Sequence, residues 1–252
     1  MVPVTENEAV ITLRAAGCVF AEDEAAILVG AARGAEELGD LVRRRAVGEP
    51  LEQVVGFADF CGVRVKLRPG VFVPRVRSEL LVRTAVQRAG VVVVDLCCGS
   101  GALGLAVRAQ RPTTRLYAAD VDPVAVACAR DNLGADVFRG DLFGALPDDL
   151  RDRVDVLLAN VPYVATRHIP LLPAEARDHE PATALDGGDD GLDVFRRVVA
   201  EAPAWLAPGG LLVSEITEAQ IGPATAAVRA AGLTPEIRHD DDLEATIVAG
   251  VR

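Results

Sequence analysis

The chain has a single lysine, Lys66, one methionine, one tryptophan and two tyrosines among its 252 residues. Arginine therefore carries almost all of its positive charge, and 26 basic against 37 acidic residues leave a formal charge of −11. A nucleic-acid-binding surface needs a clustered excess of Lys and Arg. The one basic run, Arg43-Arg44-Arg45, reads as the solvated end of a helix, so no direct nucleic-acid partner is expected. No uninterrupted apolar stretch reaches the ~18–20 residues of a membrane span. The start, Met1 to Glu6, lacks the basic opening and apolar run of a signal peptide. A cytoplasmic protein with no membrane partner is expected. The five cysteines form no CxxC and no Cys/His pairing, so neither a disulfide framework nor a metal site is expected.

What is present suffices for a core. Half of the residues are apolar, and the length suits one sizeable domain with a small appendage. Residues 5–47 read as short helices, because 24–29 and 38–45 carry apolar residues at helical spacing. Gly48-Glu49-Pro50 stops them. Residues 54–57 and 63–67 flank Cys61-Gly62 and read as a β-hairpin. From about residue 76 the pattern alternates: helix 77–89, strand 91–94, helix 102–110, strand 116–119, helix 123–133 and a strand near 136–138. Strand 154–159 precedes a long Pro-rich segment, 160–190, and helix 191–206 then leads to strand 211–213. A helix near 218–231 and strands near 235–239 and 245–250 complete the chain. Such alternation predicts an α/β fold with a mostly parallel, doubly wound sheet, and the last two strands an antiparallel edge. The divisions expected are 1–50 helical, 51–75 a hairpin linker and 76–252 the α/β domain.

The first βα turn, Val94 to Gly104, holds Gly99, Gly101 and Gly104 at G-x-G-x-x-G spacing, with Asp120 about 20 residues on from the first glycine. Spacing alone allows a nicotinamide dehydrogenase. Asp95 argues otherwise, since a carboxylate at the strand end would repel a pyrophosphate seated on the helix N-terminus. It suits a cationic amino-acid tail such as that of S-adenosylmethionine (SAM). Asp120 can bind ribose hydroxyls in either case. Asp141 could accept from an adenine amino group or cap a helix, and both readings stay open. The vicinal Cys97-Cys98 pair is poorly placed to form a disulfide and reads as loop filling.

Asn160-Val161-Pro162-Tyr163 directly follows the fourth strand, at the carboxyl-end crevice where open α/β sheets bind ligands. An amide, an extended X-Pro segment and an aromatic ring make a rigid pocket for a planar nitrogen group. The Asn160 oxygen and the Val161 carbonyl could each accept an N–H and aim the nitrogen lone pair, while Tyr163 walls the plane. Positioning of this kind can supply much of a rate enhancement. A plain strand-ending turn is the alternative reading of the same four residues. His168, His179 and His239 have no placed nucleophile beside them, so a hydrolase triad is not indicated.

With their flanks, these residues resemble the HemK/PrmC protein-(glutamine-N5) methyltransferases, whose motif is Asn-Pro-Pro-Tyr. The resemblance runs from about residue 20 to the C-terminus. It includes Arg44 to Leu51, Phe72-Val73-Pro74-Arg75 with Glu79, His179-Glu180-Pro181, Ala184 to Gly188, Asp190-Gly191-Leu192, Pro208-Gly209-Gly210, and Glu215-Ile216 with Gln220. It implies a Rossmann-like class I SAM-dependent methyltransferase with a seven-stranded sheet. The product would be S-adenosylhomocysteine, and the acceptor the Gly-Gly-Gln glutamine of peptide chain release factors, a protein partner. By resemblance the cofactor residues are Phe72, Pro74, Arg75, Asp95, Cys97, Gly99, Gly101, Asp120, Val121, Asp141, Leu142 and Asn160. Catalysis and acceptor binding fall to Asn160, Val161, Pro162 and Tyr163, with Glu180 and Pro181 on the acceptor side.

The chain departs from the family at several points. Val161 replaces a proline, although Pro162 still holds its backbone extended. Val76 interrupts the usual Pro-Arg-Pro-x-Thr-Glu, and Ser78 stands in the Thr position. The N-terminal helical region is short, and the late Asp-Leu-x-x-x-Arg pattern lacks its arginine after Asp242-Leu243. Three other readings share parts of the pattern: an adenine-N6 methyltransferase, an N-methyltransferase on a small molecule, and a SAM-binding protein without transfer. The acidity disfavours the first.

Overall fold

The computed structural model describes residues 4–88 and 92–252. The expected junction of helix and strand at Ala89, Gly90 and Val91 lies outside the described residues, as do Met1, Val2 and Pro3.

Three helices open the chain, α1 (Glu6–Ala15), α2 (Ala21–Ala31) and α3 (Ala35–Ala46), followed by the single turn α4 (Leu51–Val55). They pack around an apolar cluster of their own that includes Leu13, Leu28, Leu38, Val42 and Val54. A two-stranded antiparallel hairpin follows, β1 (Phe57–Phe60) and β2 (Val63–Lys66). Val54 and Val55, expected in the hairpin, instead belong to α4, which Gly56 ends in a left-handed conformation at φ 81°.

The Arg43–Arg45 run also differs from expectation. Arg45 is only 12% exposed and pairs with Glu24 of α2 at 2.6 Å and with Glu175 at 3.1 Å. Arg44 pairs with Glu49 and donates to the Val54 carbonyl. Two of the three arginines are thus tethers between elements, because their stems reach partly buried carboxylates and backbone carbonyls that sequence spacing does not reveal.

The α/β portion contains α5 (Glu79–Gln87), β3 (Val92–Leu96), α6 (Ala102–Gln110), β4 (Arg115–Asp120), α7 (Pro123–Leu133), β5 (Val137–Arg139) and β6 (Val154–Ala159). After these come α8 (Ala174–His179), α9 (Ala182–Leu185), α10 (Asp193–Glu201), β7 (Leu206–Ile216), α11 (Ile221–Ala230), β8 (Thr234–Asp240) and β9 (Ala245–Val251). The seven-stranded sheet runs β5-β4-β3-β6-β7-β9-β8. Its first five strands are parallel, and β9 and β8 close it antiparallel. Neighbouring residues of β3 point to opposite faces: Val93 joins the cluster holding Leu81, Ala106 and Leu158, and Val94 the one holding Leu157, Phe195 and Trp205. Burial on both faces explains why the strands read as continuous apolar runs.

One expected boundary shifts clearly. The helix expected over 191–206 gives way to β7 at Leu206, and Pro208-Gly209-Gly210 is absorbed as an irregularity between the pairs Val154–Leu206 and Val156–Leu211. The Pro-rich stretch after β6 is structured: a 3-10 segment (Thr166–Leu171), α8 and α9 occupy it.

Strand order reverses at β3, which has β4 on one side and β6 on the other. In an open parallel sheet ligands bind outside the carboxyl ends at such a switch point. Leu96 pairs with Ala159, so the glycine loop and Asn160-Val161-Pro162-Tyr163 leave the sheet side by side.

Candidate active site

A cleft of about 800 Å3, including its open mouth, lies over this switch point and is lined by Phe72, Cys97, Gly99, Asp120, Val121 and Asn160 among others. Asp120, at the end of β4, accepts from the Gly99 amide at 2.8 Å and from the Asp122 amide at 2.9 Å. Each carboxylate oxygen keeps a second lone pair for a ligand hydroxyl. Gly99 has φ 55° and open space where a Cβ would stand. Gly101 serves packing instead, for a Cβ there would meet Leu133 at 2.7 Å. Asn132 clamps the assembly: its Nδ2 donates to the Ser100 and Lys66 carbonyls, and its Oδ1 accepts from the Lys66 amide.

The roof of the cleft is the stretch after β2. Glu180, whose side chain is fully buried, accepts from the Val73 amide at 3.1 Å and from Arg75 Nη2 at 2.7 Å. Burial pushes its carboxyl above the usual range, against the pull of Arg75. The pair holds Phe72 and Pro74 over the cleft, beside Pro181.

At the other end, Asn160 lines both this cleft and an adjoining pocket of about 900 Å3, open space included, formed by Val161, Tyr163, Arg75, Arg77, Leu172 and others. Asn160 Nδ2 donates to Ser78 Oγ at 3.3 Å, whereas Asn160 Oδ1 is buried without a partner. Ser78 Oγ donates to Glu215 Oε2 at 2.6 Å, and Tyr163 Oη donates to Glu215 Oε1 at 2.5 Å. Arg77 Nε donates to the same Oε1 at 2.7 Å and also to the Tyr163 oxygen. Tyr163 is pushed up to beyond its ordinary range, first by burial and then by the Glu215 charge, so it remains a phenol.

Comparison with known proteins bears on this geometry. Residues 62–174 match the methyltransferase small domain family. The release factor glutamine methyltransferase of Moorella thermoacetica is 36% identical over 239 residues, covering 83% of each chain. The chain belongs to the release factor glutamine methyltransferase family. The Geobacter sulfurreducens member is 40% identical, over 70% of this chain and 63% of its own length. Also similar is a 4-amino-L-phenylalanine/4-methylamino-L-phenylalanine methyltransferase of Streptomyces pristinaespiralis, 36% identical over 76% of this chain and 69% of that protein. A Pyrococcus furiosus methyltransferase structure superposes with TM-score 0.58 at 15% identity, covering 75% of this chain and 89% of that one. That likeness shows the class I methyltransferase fold.

Measured against the residues expected from the family motifs, the cleft brings together Phe72, Pro74, Cys97, Gly99, Asp120, Val121, Asn160, Pro162 and Pro181. Arg75, Val161 and Tyr163 line the adjoining pocket. The others sit elsewhere. Asp95 is buried beneath the loop, accepts from the Gly104 amide at 3.0 Å, and has Oδ1 without a partner. Desolvation, with the Asp120 charge adding to it, pushes its carboxyl up to about 8. Asp95 does not line the cleft, whereas Asp120 and Asp122 do. Gly101 and Leu142 are packing residues, and the Asp141 carboxylate is held by Arg197 at 2.6 Å. The Asp141 side chain accepts no capping hydrogen bond from the turn that follows it. Glu180 braces the roof from inside and lines neither cavity. Cys97 and Cys98 are free thiols; burial pushes Cys97 up to about 12 and Cys98 well above its ordinary range, which makes both inert fillers.

Sequence reasoning in this family missed Ser78, Gly70, Val71, Ser100, Asp122 and Thr183, all of which line the cleft. It passed over Glu215 except as part of a resemblance. The only signal for Ser78 was its place in Pro-Arg-Val-Arg-Ser-Glu, where the family has a hydroxyl residue.

Proposed function

We propose that the protein transfers a methyl group from SAM to the side-chain amide nitrogen of a protein glutamine, that of the Gly-Gly-Gln motif in a peptide chain release factor. The observation that carries this reading is Asn160 Oδ1, a buried acceptor with no partner at the junction of the two cavities. Buried polar atoms are nearly always satisfied, and an incoming N–H satisfies this one.

The cleft fits SAM by the chemistry of its donors and walls. Asp120 offers lone pairs to vicinal hydroxyls, and Phe72, Val121 and Leu103 give apolar walls for a planar base. When bound, SAM supplies an electrophilic methyl group. The chain's own task is positioning. Asn160 Oδ1 accepts one amide N–H and turns the nitrogen toward the cleft, Tyr163 and Val161 wall the adjoining pocket, and Pro162 keeps Val161 extended. A nitrogen that has taken a methyl becomes acidic and sheds its proton to water, so no strong base is required. Helices α1–α3 (residues 1–50) would grip the acceptor protein, and residues 51–75 would link them to the transfer domain, 76–252. Their separate apolar cluster supports a distinct helical unit, although α4 shares that cluster through Val54 and so belongs with the helices rather than with the linker.

The relative from S. pristinaespiralis favours a second reading, transfer to the amine of a free amino acid. Such a substrate needs a cation for its carboxylate. The two arginines lining the adjoining pocket are already engaged, Arg75 by Glu180 and Arg77 by Glu215, which favours the protein amide.

The test is transfer of labelled methyl from SAM to unmodified release factor, with 4-aminophenylalanine in parallel, read by mass spectrometry. A methyl on the Gly-Gly-Gln glutamine is expected. SAM binding with label on the amino acid alone would overturn the protein acceptor.

A further inference from the structure

Hydrogen-bond polarity in the network behind Asn160 has a directional consequence. Glu215 is 2% exposed, and its carboxylate can only accept. Ser78 has one hydroxyl hydrogen, and it points to Glu215 Oε2 at 2.6 Å. Ser78 Oγ can then meet Asn160 only as an acceptor, so it takes the amide's Nδ2 end at 3.3 Å. The same logic fixes Tyr163: its hydrogen goes to Oε1, and its oxygen accepts from Arg77. An amide has two ends of nearly equal shape, and only this polarity distinguishes them.

We propose that Glu215 is a positioning residue which, acting through Ser78, fixes the Asn160 amide so that Oδ1 rather than Nδ2 faces the acceptor nitrogen. With the opposite orientation two N–H donors would oppose each other, and the acceptor would lose its alignment. The inference rests on the amide-transfer reading above and adds the residue that makes Asn160 competent. It also explains why a carboxylate stands deep behind a site that needs no base. Its one chemical demand on Ser78 is a hydrogen accepted, which forces Ser78 to accept in turn.

Glu215→Gln tests this with nearly unchanged shape, because a glutamine can donate to Ser78 and let the relay reverse. The expected result is a fall in kcat on the order of 10- to 100-fold, the scale of a misaligned reacting group, with the SAM dissociation constant within about twofold, well under the tenfold change that 1.4 kcal/mol would give. Ser78→Ala should lose activity similarly and Ser78→Thr, which keeps the hydroxyl, should restore it. The double variant Glu215→Gln/Ser78→Ala should be no worse than the poorer single, since residues of one relay are not additive; two separate packing defects would multiply. Full kcat in Glu215→Gln, or multiplied losses in the double variant, would overturn the proposal.

A second measurement needs no acceptor. The Asn160 side-chain NH2 resonances, assigned in 15N-labelled protein, should show nuclear Overhauser contacts to the Ser78 methylene in the wild type and lose them in Glu215→Gln. Absence of those contacts in the wild type would overturn the relay. If wild-type protein methylates no release factor while the contacts are present, the acceptor assignment falls and the relay stands. Should Glu215→Gln fail to fold, Ser78→Ala and Ser78→Thr carry the same comparison.

Discussion

Glu180 Oε1 accepts the backbone N–H of Val73 at 3.1 Å, across 107 residues of sequence. One buried carboxylate thereby joins the segment that follows the hairpin to the loop that follows the Asn-Val-Pro-Tyr turn. Because the same group also holds Arg75, the roof of the cleft is clamped from within and cannot rise without stranding a buried amide or a charge.

Glu180→Ala is expected to destabilise the protein by about 1–3 kcal/mol, the usual penalty when buried hydrogen-bonding groups lose a partner. SAM affinity should fall alongside, since Phe72 and Pro74 lose their anchor. Thermal denaturation with and without SAM measures both. An unchanged melting temperature would show that the clamp contributes nothing.

Asn160→Ala should lower transfer by about 100- to 1,000-fold, in the range seen when one positioned hydrogen-bonding group is removed from a reacting centre. SAM affinity should change little. Asp120→Ala should do the reverse: it strands the Gly99 and Asp122 amides and removes the acceptor facing the cleft, weakening SAM binding by about 10- to 100-fold (~1–3 kcal/mol). Calorimetry beside single-turnover transfer separates the two. Equal effects of both variants on SAM binding would contradict this division of labour.

Asp95 gives a pH dependence whose sign follows from its burial. Its folded carboxyl is pushed up to about 8, against an ordinary value near 4 in the unfolded chain. Between those values the folded state holds a proton that the unfolded state has released, so stability falls as pH rises from about 4 to about 8. Below that window, and above it, this group adds no further slope. Asp95→Asn, neutral throughout, should lack this component. The stability difference between variant and wild type, measured by urea unfolding from pH 5 to 8, should shift steadily in favour of the variant. A difference that stays flat with pH would mean that Asp95 is ionised in the folded protein at every pH tested.

Gly101→Ala should cost about 1–3 kcal/mol, because the new Cβ meets Leu133 at 2.7 Å and φ is 77°. Gly99→Ala has open space and only the backbone penalty at φ 55°, so it should destabilise less and act mainly on SAM binding. Equilibrium unfolding of the two variants, compared at one pH, checks the ranking.

The alternation of strands and helices, the two loops that carry the chemistry, and the antiparallel edge are all legible in the sequence. These are local facts: apolar periodicity, glycines at a strand end, and an amide before an X-Pro step. Its misplacements are equally physical. Asp141 stands two residues past the end of β5, where a sequence reading expects a ligand, yet Arg197 of α10 takes its carboxylate. Asp95 has the right chemistry at the right spacing and lies under the loop instead of beside the cleft. Tertiary packing sets which side chains satisfy which: Glu180 with Val73, Arg45 with Glu24 and Glu175, and Glu215 with Ser78. Pairing among buried polar groups depends on register across the sheet and on the path of long loops. A spacing pattern cannot encode that, and it is such pairing that leaves Asn160 Oδ1 free.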